Sequence, residues 1–419
     1  VLKFTKKIFT FAQNQFQPMK RLITLFLTLG LFACIHAQTD MQKKLQTDFI
    51  MVEEGGTITI PAGTFTAKGT LSMDEKKNIT IRGAGKDKTV ISFKGQTEGA
   101  EGIKITNCEN ITIEGITVED AKGDAIKVQK TKGIRFIDVR TAWTGKPSKK
   151  NGAYGLYPVM CENVLIDGCE AIGASDAGIY VGQSHNIIVR NSRAYHNVAG
   201  IEIENSTLAD VYQCEATGNT GGILVFDLPN LPKKKGGNVR VYNNKVWENN
   251  HKNFAPKGTS VGKVPPGTGL MVLAASEVEV YNNEIRNNRT SNLSIVSYYM
   301  TETPITDSLY YPYPTAVYVH DNTFERTPQR PTFRSKIGLL LWSKFKRNVP
   351  DILYDGILDP NTLDENGQVK EEYRICIRNN KNATFVNLDA ENNFKGMSTD
   401  LAPYDCSRSA LAPPSLSLK

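Results

Sequence analysis

Three consecutive stretches of the chain repeat one pattern: ENVLIDGCEAIGASDAGIYVGQS (Glu162–Ser184), HNIIVRNSRAYHNVAGIEIENS (His185–Ser206) and TLADVYQCEATGNTGGILVFD (Thr207–Asp227). Within them Gly178, Gly200 and Gly222 recur every 22 residues, each followed by Ile-x-Val or Ile-x-Ile. A period in the low twenties, carried by short alternating β-branched segments, marks a solenoid with about three strands per coil. One coil cannot bury its apolar face alone, so stacking makes the core. The length then fits one continuous all-β array of about ten coils rather than several domains.

The two ends do not follow the repeat. Residues 1–37 read as an export signal with an upstream extension: Met19 is followed by Lys20 and Arg21, the apolar run Leu22–Ala33 and then small residues. The run is too short to span a bilayer, so no transmembrane segment is expected and the protein is exported to the periplasm, cell surface or medium. Two cleavage readings stand side by side, one after Ala37 and one that leaves a lipid anchor on Cys34 in the string LFAC. Removing residues 1–37 takes away five basic residues (Lys3, Lys6, Lys7, Lys20, Arg21) and no acid, so the formal +7 becomes +2. The basic balance belongs to the signal and gives no support for a nucleic-acid partner.

Six cysteines remain, and export permits disulfides. Cys108 and Cys161 hold equivalent repeat positions with a coil between them, as do Cys169 and Cys214. With coils ~4.8 Å apart, such pairs sit ~9.6 Å apart, beyond disulfide reach. They are expected to be reduced and buried, which leaves Cys376 and Cys406 as the plausible bridge.

Residues 38–56 are expected to form a cap, a short amphipathic helix with Met41, Leu45 and Ile50 on one face that covers the open strand edges of the first coil. Residues 57–395 carry the repeats and residues 396–419 form a C-terminal tail. In the later coils GNVRVYNNK, EVEVYNNE, TAVYVHDNT and YRICIRNNK repeat a strand and a bend, with Asn244, Asn283 and Asn322 spaced 39 apart and Asn380 in the same place. Stacked at one bend, these amides form a ladder that is structural. The opening ITIPAGTF…NITIRGAGKDKTVI resembles the first coils of pectin-lyase-like proteins. The middle is similar to the NosD-type, carbohydrate-binding group of exported right-handed parallel β-helix proteins. The resemblance spans about Thr57–Asn393. It implies a right-handed parallel β-helix, a fold that serves lyases, epimerases, hydrolases and proteins without catalysis.

Aligning the coils on the Gly-Ile-x-Val strand places Ile126, Leu156, Ile179, Ile201, Ile223 and Leu270 inward. By the period of two, Lys127, Tyr157, Tyr180, Glu202, Leu224 and Met271 then point out. The glycines Gly155, Gly178, Gly200, Gly222 and Gly269 are expected to form a second outward row, a flat stripe beside tyrosines suited to sugar rings. Four insertions flank this strand: residues 143–154 and 249–268 enter it, 227–237 and 298–314 leave it. Long loops in a repeat array collect on the binding face, and here they wall a groove. Their lysine runs (Lys146, Lys149, Lys150; Lys233, Lys234, Lys235) suit an anionic polymer, although such runs are most often solvated loop.

The candidate chemistry on this rim is Tyr154, Asp176, His196 and Glu202 as catalytic groups, with Lys127, Tyr157 and Tyr180 as sugar contacts. Asp124, Asp176 and Glu202 are the oxygen set for Ca²⁺, the cofactor implied by resemblance to uronate-acting β-helix enzymes. YGLYPVM (Tyr154–Met160) is similar to the YGFDPHE-type catalytic segment of mannuronan epimerases. Tyr154, Gly155 and Pro158 match; Tyr157 stands at the acidic position and Val159 at the histidine position, so only the role of Tyr154 carries over. RTPQR (Arg326–Arg330) resembles the arginine motif of pectate lyases, with its second arginine one residue early. RGAGKDKT (Arg82–Thr89) lacks the spacing of a phosphate loop. Two functions therefore compete. One is a non-catalytic protein that binds an acidic polysaccharide or another exported protein along the groove. The other is a lyase or epimerase of uronate polymers.

Overall fold

The computed structural model describes residues 41–418. The expected export signal, with Cys34 and Ala37, lies outside the described residues. From Thr57 to Asn387 the chain winds as a right-handed parallel β-helix of three sheets holding eleven, ten and eleven strands. Each sheet takes every third strand in order, except that the last step of the third sheet, Ile352–Tyr354 to Phe385–Asn387, skips one strand. One coil shows why the sequence does this. His185–Arg190 lies in the first sheet, Arg193–Tyr195 in the second and Ala199–Glu204 in the third. The chain bends at Asn186, Asn191, His196 and Asn205, all with left-handed backbone (φ 60°, 49°, 61° and 42°). Asparagine is among the few residues that adopt this conformation readily, so its recurrence punctuates the coil.

Inside, like stacks on like. Ile179, Ile201, Ile223, Leu270 and Leu293 are paired neighbours on successive strands and fully buried. Each contributes about 1.5–3 kcal/mol by leaving water, and together they form the core that no single coil has. The polar bends are satisfied internally. Asn244, Asn283, Asn322 and Asn380 form the expected ladder, the Oδ1 of Asn283, Asn322 and Asn380 each accepting from the backbone N–H and side-chain amide of the preceding asparagine. Cys169 and Cys214 occupy earlier rungs of it, their backbone N–H groups donating to Ser192 Oγ and Asn244 Oδ1. Cys108, Cys161, Cys169 and Cys214 are free and buried, and Cys376 is bridged to Cys406.

A second ladder, which the sequence reading missed, runs through Asn197, Asn219, Asn249, Asn288 and Asn292. It explains the glycines and corrects their expected direction. Gly178, Gly200, Gly222 and Gly269 face the interior: a Cβ on them would lie 2.5–2.8 Å from the amide nitrogen of Asn197, Asn219, Asn249 or Asn288. The strand bends at this point, so glycine and the following isoleucine both face in, and glycine is what fits over the ladder. No glycine stripe lies open to solvent at these positions.

Residues 41–51 form the capping helix. Its buried face is Leu45 and Phe49 with Met41 and Val52 packed alongside, whereas Ile50 is 56% exposed. The i, i+4, i+8 spacing of Met41, Leu45 and Phe49 defines the face, and Ile50 falls off it. At the far end an unanticipated helix, Lys336–Phe345, sits in the insertion before the third-sheet strand Ile352–Tyr354, with Ser335 Oγ capping Gly338 N–H at 3.1 Å. The C-terminal segment is not a loose tail. Beyond the disulfide it runs back over the first sheet, where Leu411 N–H donates to Glu279, Ser415 N–H to Asn186 and Ser417 N–H to Asn163.

Candidate functional site

The outward row of the third sheet reads Ser72, Lys104, Lys127, Tyr157, Tyr180, Glu202, Leu224, Met271, Ser294. Strand alternation sets this row, and the sequence register found six of its members. The expected open groove is not what surrounds them. Phe254, Val261 and Val264 from one insertion, Tyr298 and Tyr310 from another and Leu228 from a third pack onto Leu224, Phe226, Met271 and Leu273. The insertions bury the middle of the face as a second apolar core. Tyr180 and Glu202, expected at the surface, are each 3% exposed for this reason. The face opens toward the start of the row, at exposed Ser72 and half-buried Lys104, Lys127 and Tyr157, with Asp124 and Tyr154 beside them.

Three tyrosines line the transition from open to closed. Tyr157 lies 4.3 Å from Tyr154 and 5.0 Å from Tyr180 between ring centroids, and Tyr154 lies 4.7 Å from Tyr180. Lys127 Nζ stands 5.0 Å from the Tyr157 ring centroid, a cation–π contact, and 3.9 Å from Asp124. Burial, reinforced by nearby carboxyls, pushes the phenols of Tyr154, Tyr157 and Tyr180 far up, so at neutral pH all three are O–H groups. They act as donors, not bases.

Behind them sit Asp176, Glu202 and Glu204. Tyr180 Oη donates to Glu204 Oε1 at 2.6 Å, and Tyr154 hydrogen-bonds to Asp176. Burial pushes Asp176 up to about 8, Glu204 adds to this, and Tyr154 opposes it. Glu202 is driven well above the carboxylate range by burial, then by Glu204 and Asp176, and burial raises Glu204 as well, against the pull of its hydrogen bond from Tyr180. Glu202 Oε2 has no partner among the described residues. Burial and like charge together favour the neutral form of neighbouring carboxyls. Asp124, less enclosed, is pushed up to about 6 by burial against the pull of Lys127.

The structure thus brings together Asp124, Lys127, Tyr154, Tyr157, Asp176, Tyr180 and Glu202. It leaves His196 out. That residue is exposed at a left-handed corner, against Tyr195 and over Gly218, at the place where the neighbouring coils carry Gly173 and Gly218. The sequence reading missed Glu204 and Lys104. The period of two was a sufficient signal, since Glu204 follows Glu202 by two and Lys104 precedes Ile105 as Lys127 precedes Val128. Arg326 of the RTPQR motif is a buried structural group, 3.4 Å from Asp351. In RGAGKDKT, Arg82 pairs with Glu114 and Lys86 with Asp138.

For Ca²⁺, the chemistry asks for several ionised oxygens pointing at one point. Among the described residues no three His, Cys, Asp or Glu side chains converge in that way. Asp124 faces Lys127, while Glu202 and Glu204 are buried beneath the loops. This donor set does not fit the ion, and no step is derived through it.

Residues 71–233 match the family model described as right handed beta helix region. No curated protein sequence matches the chain. Among solved structures, the Azotobacter vinelandii mannuronan C-5 epimerase AlgE4 A-module is 13% identical with a TM-score of 0.51, over 82% of this chain and 90% of that one. An alginate lyase from Paenibacillus sp. str. FPU-7 is 14% identical with a TM-score of 0.44, over 68% and 92%. Pectate lyase Pel9A is 15% identical with a TM-score of 0.43, over 67% and 70%. The class is therefore a right-handed parallel β-helix resembling pectin-lyase-like proteins. At these identities the likeness concerns the fold.

Proposed function

We propose that this is an exported β-helix protein that binds an acidic polysaccharide without turning it over. The contact surface is the open start of the third sheet, at Lys104, Lys127, Tyr157 and Tyr154. One observation carries the reading: the outward row presents two lysines and then a tyrosine platform where the face is half-open, while Asp176, Glu202 and Glu204 lie behind it, buried and pushed toward the neutral form. Lysines draw the polymer's carboxylates, and the Tyr157 ring offers an apolar surface with a hydroxyl at its edge. A general base needs an ionisable group within reach of the sugar. The phenols here keep their protons, and Glu202 is shut beneath the loops.

A second reading, a uronate lyase or epimerase, is favoured by Asp124 and Asp176. These acids titrate near about 6 and about 8 beside the Tyr154 phenol, where a neutral carboxyl can donate to a substrate carboxylate. A panel of uronate polymers followed by absorbance of the unsaturated product, with and without Ca²⁺, separates lyase action from binding. The binding reading expects no absorbance gain and no change in the epimer content of the recovered polymer. Turnover of any polymer in the panel, under either condition, contradicts it.

A further inference from the structure

A second basic site lies further along the same face. A cavity of about 410 Å³ opens between the insertion 249–268 and residues 334–335, at the start of the helix Lys336–Phe345. Both segments lead into third-sheet strands, so the cavity shares the flank on which the 143–154 insertion borders Tyr157. Lys257, Lys263 and Arg334 line it, and no aspartate or glutamate does. Lys263 Nζ donates to the Thr301 carbonyl at 2.9 Å and to the Thr303 hydroxyl, neutral acceptors that leave its charge uncompensated. The Lys257 and Arg334 side chains have no hydrogen bond or ion pair among the described residues. Glu302, adjacent to Thr301 and Thr303, is held by Lys336 at 2.5 Å.

A fourth cation stands behind the wall. Arg289 packs its stem against Gly267, next to the lining Pro265–Pro266 segment, and its Nε is buried with no partner. Its guanidinium is depressed by burial and then by repulsion from Arg334. Like charges gathered around a polar cavity without a counter-ion lower their energy when an anion enters. The helix N-terminus beside Ser335 adds a favourable partial charge.

We propose that this cavity is an oxyanion subsite that takes the carboxylate or sulfate-ester group of an acidic glycan lying along the third-sheet face. This rests on the polysaccharide-binding reading for its glycan and on the cavity alone for its anion. The first strand behind the cavity is four steps from the Tyr157 strand, about 19 Å at ~4.8 Å per step, so one oligosaccharide can span both.

The test is titration of the full chain with an acidic oligosaccharide, a neutral one of equal length, and sodium sulfate alone. Wild type is compared with a Lys257→Gln/Arg334→Gln double variant and with Tyr157→Ala. The double variant should bind the acidic oligosaccharide about fivefold to tenfold more weakly, with a shallower salt dependence, and the neutral one unchanged. Tyr157→Ala should weaken both sugars. If wild type binds sulfate and neither sugar, and the double variant loses sulfate, the oxyanion site stands and the glycan source is overturned. An acidic-oligosaccharide affinity equal in wild type and double variant overturns the subsite, as does wild type that binds none of the three.

Discussion

Asp176 and Glu202 keep protons at a pH where exposed carboxyls have lost them, and this has a cost the molecule carries at neutrality. Asp176 moves from 3.8 when exposed to about 8 when folded. Between those values the unfolded chain has released its proton and the folded chain has not, so folding takes up a proton and stability falls as pH rises. Asp176→Asn, neutral at every pH, removes that contribution. Its melting temperature relative to wild type should climb between pH 4 and pH 8, read by thermal melts across the window; a constant difference would contradict the assignment. The glycines make a second residue-scale prediction. A Cβ at Gly200 would stand 2.6 Å from the Gly222 carbonyl oxygen and 2.8 Å from the Asn219 amide. Gly200→Ala should therefore destabilise by about 1–3 kcal/mol, the usual cost of overpacking. An unchanged melting temperature would mean that the glycine faces outward after all. The direction of these glycines was not legible in the sequence, because strict alternation breaks at the one residue where two neighbours both turn in. Asn197 and Asn219 were the available clue, each three residues before a glycine of the row (Gly200 and Gly222).

Elements were more legible than their environments. The strand register, the capping helix, the Asn244–Asn380 ladder and the Cys376–Cys406 pairing all follow from spacing, which the backbone obeys locally. What the insertions do does not follow, since their packing onto Leu224 and Met271 is long-range. Their apolar residues, Phe254, Val261, Val264, Tyr298 and Tyr310, are irregularly spaced. The helix Lys336–Phe345 was hidden for the same reason, inside an insertion with no repeat to compare. The C-terminal segment shows how an element gains order from its neighbours. Its backbone N–H groups are met by side chains of the first sheet, and the disulfide fixes where it starts. Closing a loop of 30 residues is worth about 3.7 kcal/mol in the chain-entropy picture. Cys376→Ser should lower the melting temperature measurably and free the segment for limited proteolysis near Arg408, with no crosslink between Cys169 and Cys214 in non-reduced peptide maps. Equal proteolysis of variant and wild type would show that the side-chain contacts hold it unaided.

At the scale of the whole molecule, a solenoid repeats one surface many times, and what individualises this one is where its loops let the surface show. The third sheet is basic and aromatic at its open start, closed by a second apolar core at its middle, and basic again at the cavity between the later insertions. That distribution is suited to an extended anionic ligand, whose repeated charges and rings meet repeated partners along the axis. The account stands on the contact at Tyr157, and isothermal titration of an acidic oligosaccharide into wild type and Tyr157→Ala tests it most directly. Loss of a stacked aromatic contact is worth ~1 kcal/mol beyond the area it buries, so the variant should bind several-fold more weakly at a temperature where both proteins are fully folded. Equal affinity in the two proteins, or no binding to wild type, would contradict the account.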